Sequence, residues 1–190
     1  MKEKLLIVGS GGFGRVVSEH ARKQYECAFI DDGVEGGREI CDLKVIGKVS
    51  ALTDLFSQYK LLVVAIGNNK TRERIYQEAK QIGYRFPNIA CNSVYISSYA
   101  SIGNGCIFLN NVIIQNNSHV GDGVILMPNI EIHHDANIGD YSLIYANSVV
   151  RSLARVGNRV KIGSTTTIST SSVVPDDTII DDGSVYKTEE

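Results

Sequence analysis

His133, His134 and Asp135 stand consecutively and carry the densest chemistry in the chain. An imidazole with a pKa near neutrality can take a proton from an attacking amine or hydroxyl, and a neighbouring carboxylate raises its basicity. His134 lies two residues past Ile132, a position that belongs to a buried hydrophobic column, so its ring is expected at a corner of the fold, open to solvent. A solvated surface histidine is the plain alternative. A metal centre is disfavoured, because successive residues of extended chain point to opposite faces and no third ligand stands near. His20, on an expected helix, and His119, beside Val120, read as structural or surface residues.

A second group of residues invites a phosphate. Gly9, Gly11 and Gly14 satisfy the spacing GxGxxG between a short apolar strand and a helix, where backbone N–H groups and a helix N-terminus face an anion. Asp31 ends the next strand, where a dinucleotide fold would meet ribose hydroxyls. Three readings stay open: a nucleotide-linked ligand, a nicotinamide dinucleotide, and a purely structural turn. About 88 residues supply one mononucleotide half rather than two, which weighs against the nicotinamide.

The elements that must position these groups differ between the two halves of the chain. Stepping by six from Ile96 meets Ile102, Phe108, Ile114, Val120, Leu126 and so on to Ile180, fifteen large apolar residues without interruption. Two residues before each stands a mostly small or β-branched residue, such as Cys106, Ser118, Ala136 or Ser148. A pair at period two inside a period of six means a short strand and a turn, repeated. Gly103, Gly121, Gly139 and Gly157 recur every 18 residues, so three hexapeptides make one coil of a triangular solenoid, and residues 18 apart stack about 4.8 Å from each other. On that spacing His134 has Asn116 on one side and Ser152 on the other. The span from Ile96 to Ile180 predicts between four and five coils.

Residues 1–88 alternate buried strands (KLLIVG, CAFID, LLVVAI) with helical segments near 14–24, 49–58 and 70–82, the last capped by Asn69. That alternation predicts a small parallel α/β sheet. The expected organisation is a Rossmann-like domain over 1–88, an all-β solenoid over 89–181 and a C-terminal tail over 182–190.

With 190 residues, 43% of them hydrophobic, the chain can bury a substantial core. Net charge is −2 and the Lys and Arg residues are scattered, which excludes the basic face that nucleic acid requires. The apolar run after MKEK is too short for a signal peptide or a membrane span, so a cytoplasmic location and no membrane partner are expected. Cys27, Cys41, Cys91 and Cys106 lack metal-ligand spacing and read as small core residues.

Over nearly its whole length the sequence resembles the sugar O-acyltransferases of the sialic-acid O-acetyltransferase type, which include the bacterial UDP-amino-sugar N-acetyltransferases. GSGGFGRVV is similar to the family's glycine-rich loop, FIDD to its acidic strand end, AIGNN with KTRERIYQ to its third strand and helix, and HDANIGDY to the stretch around its catalytic base. The resemblance implies a left-handed β-helix and acetyl transfer from acetyl-CoA to the amine of a nucleotide-linked amino sugar, in a homotrimer whose coenzyme lies between adjacent solenoids. It implies His134 as the base with Asp135 beside it, and sugar-nucleotide contacts at Gly11, Gly12, Phe13, Asp31, Asp32 and Gly67. It places Leu143, Ser152 and Ser164 at the coenzyme. The chain departs from the family's pattern in having Phe13 and Leu143 where histidines are common and Ser152 where a glycine is. Its last residues, DDGSVYKTEE, also differ from the family's closing segment rich in Gly, Pro and Lys. O-acetylation of a sialic-acid-like sugar and a non-catalytic sugar-nucleotide scaffold are the alternatives. The lateral faces of the solenoid are expected to present Ile107, Tyr141 and Tyr145 to neighbouring subunits.

Overall fold

The computed structural model describes residues 2–188 and divides into two compact units, one ending at Ile89 and one beginning at Ala90. The first contains β1 (Lys4–Val8), α1 (Gly12–Ala21), β2 (Glu26–Ile30), β3 (Glu39–Ile40), β4 (Leu43–Gly47), α2 (Leu52–Leu55), β5 (Leu61–Val64) and α3 (Asn69–Ile82). Its sheet runs β3-β4-β2-β1-β5, and all neighbours are parallel except β3 with β4. Leu5, Leu6 and Ile7 of the central β1 are wholly buried, as a continuous apolar run in a parallel sheet should be.

The hairpin of β3 and β4 is absent from the sequence reading, and Cys41 explains why. Its two-residue turn puts Cys41 and Asp42 both in the left-handed region, at φ 50° and 60°, a turn that Asn and Gly usually announce. Cys41 is therefore exposed on a turn rather than packed in a core, Cys27 is half-buried, and only Cys91 and Cys106 are buried. The second expected helix is shorter than predicted: a 3₁₀ turn at Val49–Ala51 leads into the four residues of α2. The cap of α3 also shifts by one residue. Asn68 accepts the Thr71 N–H at 2.9 Å, while Asn69 is the first helical residue.

The second unit winds as three parallel sheets of two-residue strands, six, five and six strands deep, with every pairing in a register of 18. This is the left-handed parallel β-helix expected, longer than the apolar repeat predicts by a rung at Ile89–Ala90 and another at Val185–Tyr186. The second of these lies within residues expected to form a tail; residues 189 and 190 fall outside the described residues. From Phe108 to Ile180 every residue of the six-step column is buried, whereas Ile96, near the start, is 38% exposed.

The small residues two positions earlier fill the corners. Where they are serine, the hydroxyl ties successive coils: Ser142 Oγ donates to the Gly157 carbonyl at 2.9 Å and accepts the Val160 N–H at 3.0 Å. The glycine column has a steric cause. The Asp122 carboxylate accepts the Asn104 N–H one coil earlier at 2.8 Å, and a Cβ on Gly103 would sit 2.6 Å from the Asp122 backbone nitrogen. A further column is less visible in the sequence: every sixth residue, from Gly105 through Asn111, Asn117 and Asp135 to Gly183, turns the corner with positive φ.

Two residues expected on outward faces are buried within the single chain. Ile107 is fully buried, and the Tyr141 ring lies against Gly123 of the preceding coil, leaving it 3% exposed. Tyr145 is half-buried under Lys161.

Candidate functional site

Chemistry converges on one corner of the solenoid. The strand Glu131–Ile132 ends there, and Asp135, at φ 61°, bends the chain into the next face. That bend is one Asp tolerates better than most residues, because its short polar side chain bonds locally. The His134 backbone N–H donates to Gln115 Oε1 of the preceding coil at 3.0 Å, and the Asp135 N–H donates to the Asn116 carbonyl at 3.1 Å. The backbone under the imidazole is therefore fixed from one side.

The ring is fixed at both nitrogens. His134 Nδ1 lies 2.7 Å from Asp135 Oδ2, and Nε2 lies 2.9 Å from Ser152 Oγ of the following coil. With the proton on Nδ1 facing the carboxylate, Nε2 is left as an acceptor, the form a general base requires. The hydrogen bond with His134 holds the Asp135 carboxyl below its ordinary range; desolvation opposes this, and Asn117 one coil earlier adds to the lowering. The His134 and Asp135 side chains are 50% and 39% exposed, so a reactant can reach them.

Of the residues singled out from sequence, the fold brings His134, Asp135 and Ser152 together. Leu143 and Ser164 lie elsewhere in this chain. Leu143 comes half a coil after His134 and is buried on another face. Ser164 lines a depression of about 330 Å³ with Lys161, Tyr145 and Asp182, and its N–H donates to the Asp182 carboxylate at 2.6 Å. Gln115 and Asn117 were not singled out. Asn117 could have been found, since it stands 18 before Asp135; Gln115 reaches His134 from outside its column.

In the α/β unit, Gly11, Gly12, Phe13, Asp31 and Asp32 line a depression of about 420 Å³, bordered by Ile66, Thr71 and Arg74. Gly67 is not among its lining residues and is exposed beside it in sequence. A neighbouring depression of about 450 Å³ shares Gly11 and Asp31 and is edged by Arg15 and Arg38. Gly14 is required by packing, since a Cβ there would collide with the Gly9 carbonyl oxygen. At Gly11 and Gly12 a Cβ would meet nothing within 4 Å, so the backbone there is bare toward open space, as an approaching phosphate needs.

Asp31 has a structural duty. Its Oδ2 accepts both the N–H and the hydroxyl of Ser10 at 2.7 Å each, and Oδ1 accepts the Gly33 N–H at 2.9 Å. Partial burial alone would raise its pKa; these hydrogen bonds outweigh that and leave it lowered. Asp32 accepts the Val49 N–H at 2.8 Å. Arg72, buried at 1% exposure and missed in the sequence, pins the loop after β5 by donating to the Ile66 carbonyl and to Asn69 Oδ1, both at 2.8 Å.

Among the described residues no helix is long and apolar enough to cross a membrane. Residues 4–79 match the family model of the PglD N-terminal domain, and residues 117–152, which include His134 and Ser152, match that of the bacterial transferase hexapeptide (six repeats). The acetyltransferase domain of PglB from Neisseria gonorrhoeae FA1090 is similar at 27% identity, over 97% of this chain and 91% of that one, with a TM-score of 0.91. Its complex with acetyl coenzyme A matches with a TM-score of 0.86 at 27% identity, over 99% of this chain and 97% of that one. A histidine-to-asparagine mutant of perosamine N-acetyltransferase from Caulobacter crescentus, in complex with CoA and GDP-perosamine, matches at 26% identity over 96% and 88%, with a TM-score of 0.91.

Proposed function

The chain belongs to the hexapeptide-repeat sugar acyltransferases, and from that premise we propose that it moves an acetyl group from acetyl-CoA to the amine of a nucleotide-linked amino sugar. The observation that carries this reading is the imidazole of His134, held at Nδ1 by Asp135 and presenting Nε2 at a reachable corner. Nε2 takes the proton of the sugar amine as its nitrogen attacks the acetyl carbon, and Asp135 stabilises the resulting imidazolium. The proton then passes to the departing CoA thiolate, which leaves the base ready for another cycle. An oxyanion formed at the acetyl carbon meets the backbone N–H of Ser152, a contact that can contribute about 3 kcal/mol in other enzymes.

The α/β unit supports the acceptor half of the reading. The bare backbone at Gly11 and Gly12, with arginines edging both depressions, suits the diphosphate of a nucleotide sugar. The nicotinamide alternative loses ground, because Asp31 directs its carboxylate to Ser10 and Gly33. A cytoplasmic homotrimer belongs to the same proposal. With the coenzyme between adjacent solenoids, Leu143 and Ser164 of one chain serve coenzymes other than the one beside its own His134.

The test is calorimetric titration with acetyl-CoA and with UDP- and GDP-linked amino sugars, followed by thiol release in a turnover assay. His134→Ala should abolish turnover and leave sugar-nucleotide affinity nearly unchanged. Full activity in that variant would remove the mechanism, and a sedimentation mass other than three chains would remove the trimer.

A further inference from the structure

At other corners of the solenoid the backbone N–H two residues past an inward apolar residue has a regular partner. Asn104, Asp122, Asp140 and Asn158 donate theirs to the side-chain oxygen of the Asx residue 18 further on, each at 2.8 Å, and Ser164 donates to Asp182 in the same way. At His134 the joint runs backward. Residue 152, 18 further on, is a serine whose hydroxyl lies 2.9 Å from Nε2 of the ring, and the His134 N–H donates instead to Gln115 Oε1 of the preceding coil at 3.0 Å. Asn116 and Ser152 hold the same place one coil before and one coil after, and among the described residues their N–H groups donate to no protein acceptor. On this corner only the coil that carries the imidazole is tied in this way.

The reversal has a spatial reason. An Asp or Asn at position 152 would cap His134 as the other corners are capped, but its side chain would stand beside Nε2, where the amine must arrive. A cap from the preceding coil leaves that side to the reactants. The same coil also holds the carboxylate. Asn117 stands 18 before Asp135, the two at φ 55° and 61°, and its side chain hydrogen-bonds the Asp135 carboxylate. The pairing repeats the ladder in which Asn111 Nδ2 donates to Asn129 Oδ1 and Asn129 Nδ2 to Asn147 Oδ1, both at 3.0 Å. A second donor on Asp135 restrains its carboxyl from turning away from His134 Nδ1, 2.7 Å distant.

We infer that Gln115 and Asn117 are positioning residues for acetyl transfer: Gln115 sets where the imidazole stands, and Asn117 sets which way the carboxylate faces it. Both roles rest on the acetyl-CoA reading above and leave its chemistry unchanged, with the amine attacking the thioester carbon directly. Since each acts through His134 or Asp135, its loss should appear in kcat and hardly in the affinity for either substrate.

Gln115→Met keeps the length of the side chain and removes the acceptor, whereas Gln115→Glu keeps an acceptor oxygen. The first should lower kcat about tenfold or more, with the melting temperature and the calorimetric affinities for acetyl-CoA and the UDP- or GDP-linked amino sugar nearly unchanged, and the second should recover most of that loss. Asn117→Gly suits the left-handed corner but has no donor, and kcat should fall by a similar factor. In ¹⁵N spectra of histidine-labelled protein in mildly alkaline buffer, the wild-type His134 ring should carry its proton on Nδ1, and Asn117→Gly should show a mixture of tautomers. Wild-type kcat in Gln115→Met or in Asn117→Gly would overturn the role of that residue and leave the transferase standing. Gln115→Glu as slow as Gln115→Met would take the role away from the acceptor oxygen. A wild type that transfers acetyl to none of these sugars would bring down the transferase reading itself, and both roles with it.

Discussion

Asp31 Oδ2 receives Ser10 twice, through its N–H and its hydroxyl, both at 2.7 Å. The carboxylate at the end of β2 thus sets the shape of the glycine-rich loop after β1. Asp31→Asn keeps the volume but cannot accept both bonds on an oxygen of equal basicity. The expected loss is about 1 kcal/mol, small because the site is partly solvated, with weaker sugar-nucleotide binding. The pH dependence has a definite sign. A carboxyl whose pKa is lowered by folding stabilises the native state above its unfolded value, and that contribution is lost as pH falls through the folded value. Urea titrations from neutrality to below about pH 4 should show the wild type losing more stability than Asp31→Asn; equal losses would count against it.

Two glycines of the same loop should respond in opposite ways. Gly14→Ala drives a Cβ into the Gly9 carbonyl and should destabilise the α/β unit by about 2 kcal/mol or more, read as a lower midpoint in denaturant. Gly12→Ala meets nothing within 4 Å and gains helix propensity in α1, so stability should hold or rise by about 0.5 kcal/mol. Its added methyl enters the depression, and sugar-nucleotide affinity should fall about tenfold or more, measured by calorimetry.

Asp135→Asn separates chemistry from folding. Asn adopts the left-handed corner as readily as Asp, so the melting temperature should hardly move. The amide cannot stabilise an imidazolium, and its NH₂ group favours the wrong tautomer of His134. We expect kcat to fall about 100-fold with little change in sugar-nucleotide affinity; unchanged kcat would show the pair to be ornamental.

Leu153→Asn should stabilise the protein. It replaces a leucine at φ 64° with a residue suited to that conformation, for a gain of about 1 kcal/mol. A rise in denaturation midpoint with loss of transfer would assign the strain to function, whereas a fall in midpoint would mean that Leu153 makes packing contacts that outweigh its strain.

What was legible followed from periodicity. The six-residue column fixes which side chains point inward, and the 18-residue stack puts Ser152 beside His134, where the structure has its hydroxyl 2.9 Å from Nε2. The left-handed corners were harder to read, because Asn111 and Gly123 suit them while Tyr141, Leu153 and Arg159 conceal them. Cys41 hid a hairpin in the same way. Burial of Ile107 was also out of reach, since strand alternation says which way a residue points and nothing about what covers it. Arg72 escaped because a charged residue in a polar helix reads as surface, whereas its guanidinium is buried on a carbonyl and an amide.

The coil-to-coil register has a consequence for how such a chain can change over generations. In the column that follows the glycines, an Asx carboxyl or amide oxygen bonds the backbone of the coil before it, as Asp140 does for Asp122 and Asn158 for Asp140. Losing or duplicating 18 residues away from His134 would leave every such joint with an equivalent partner, while losing one residue would put every joint that spans the deletion out of register. The solenoid is therefore quantised: it can lengthen or shorten in whole storeys, and a workshop on one floor need not be rebuilt when another is added.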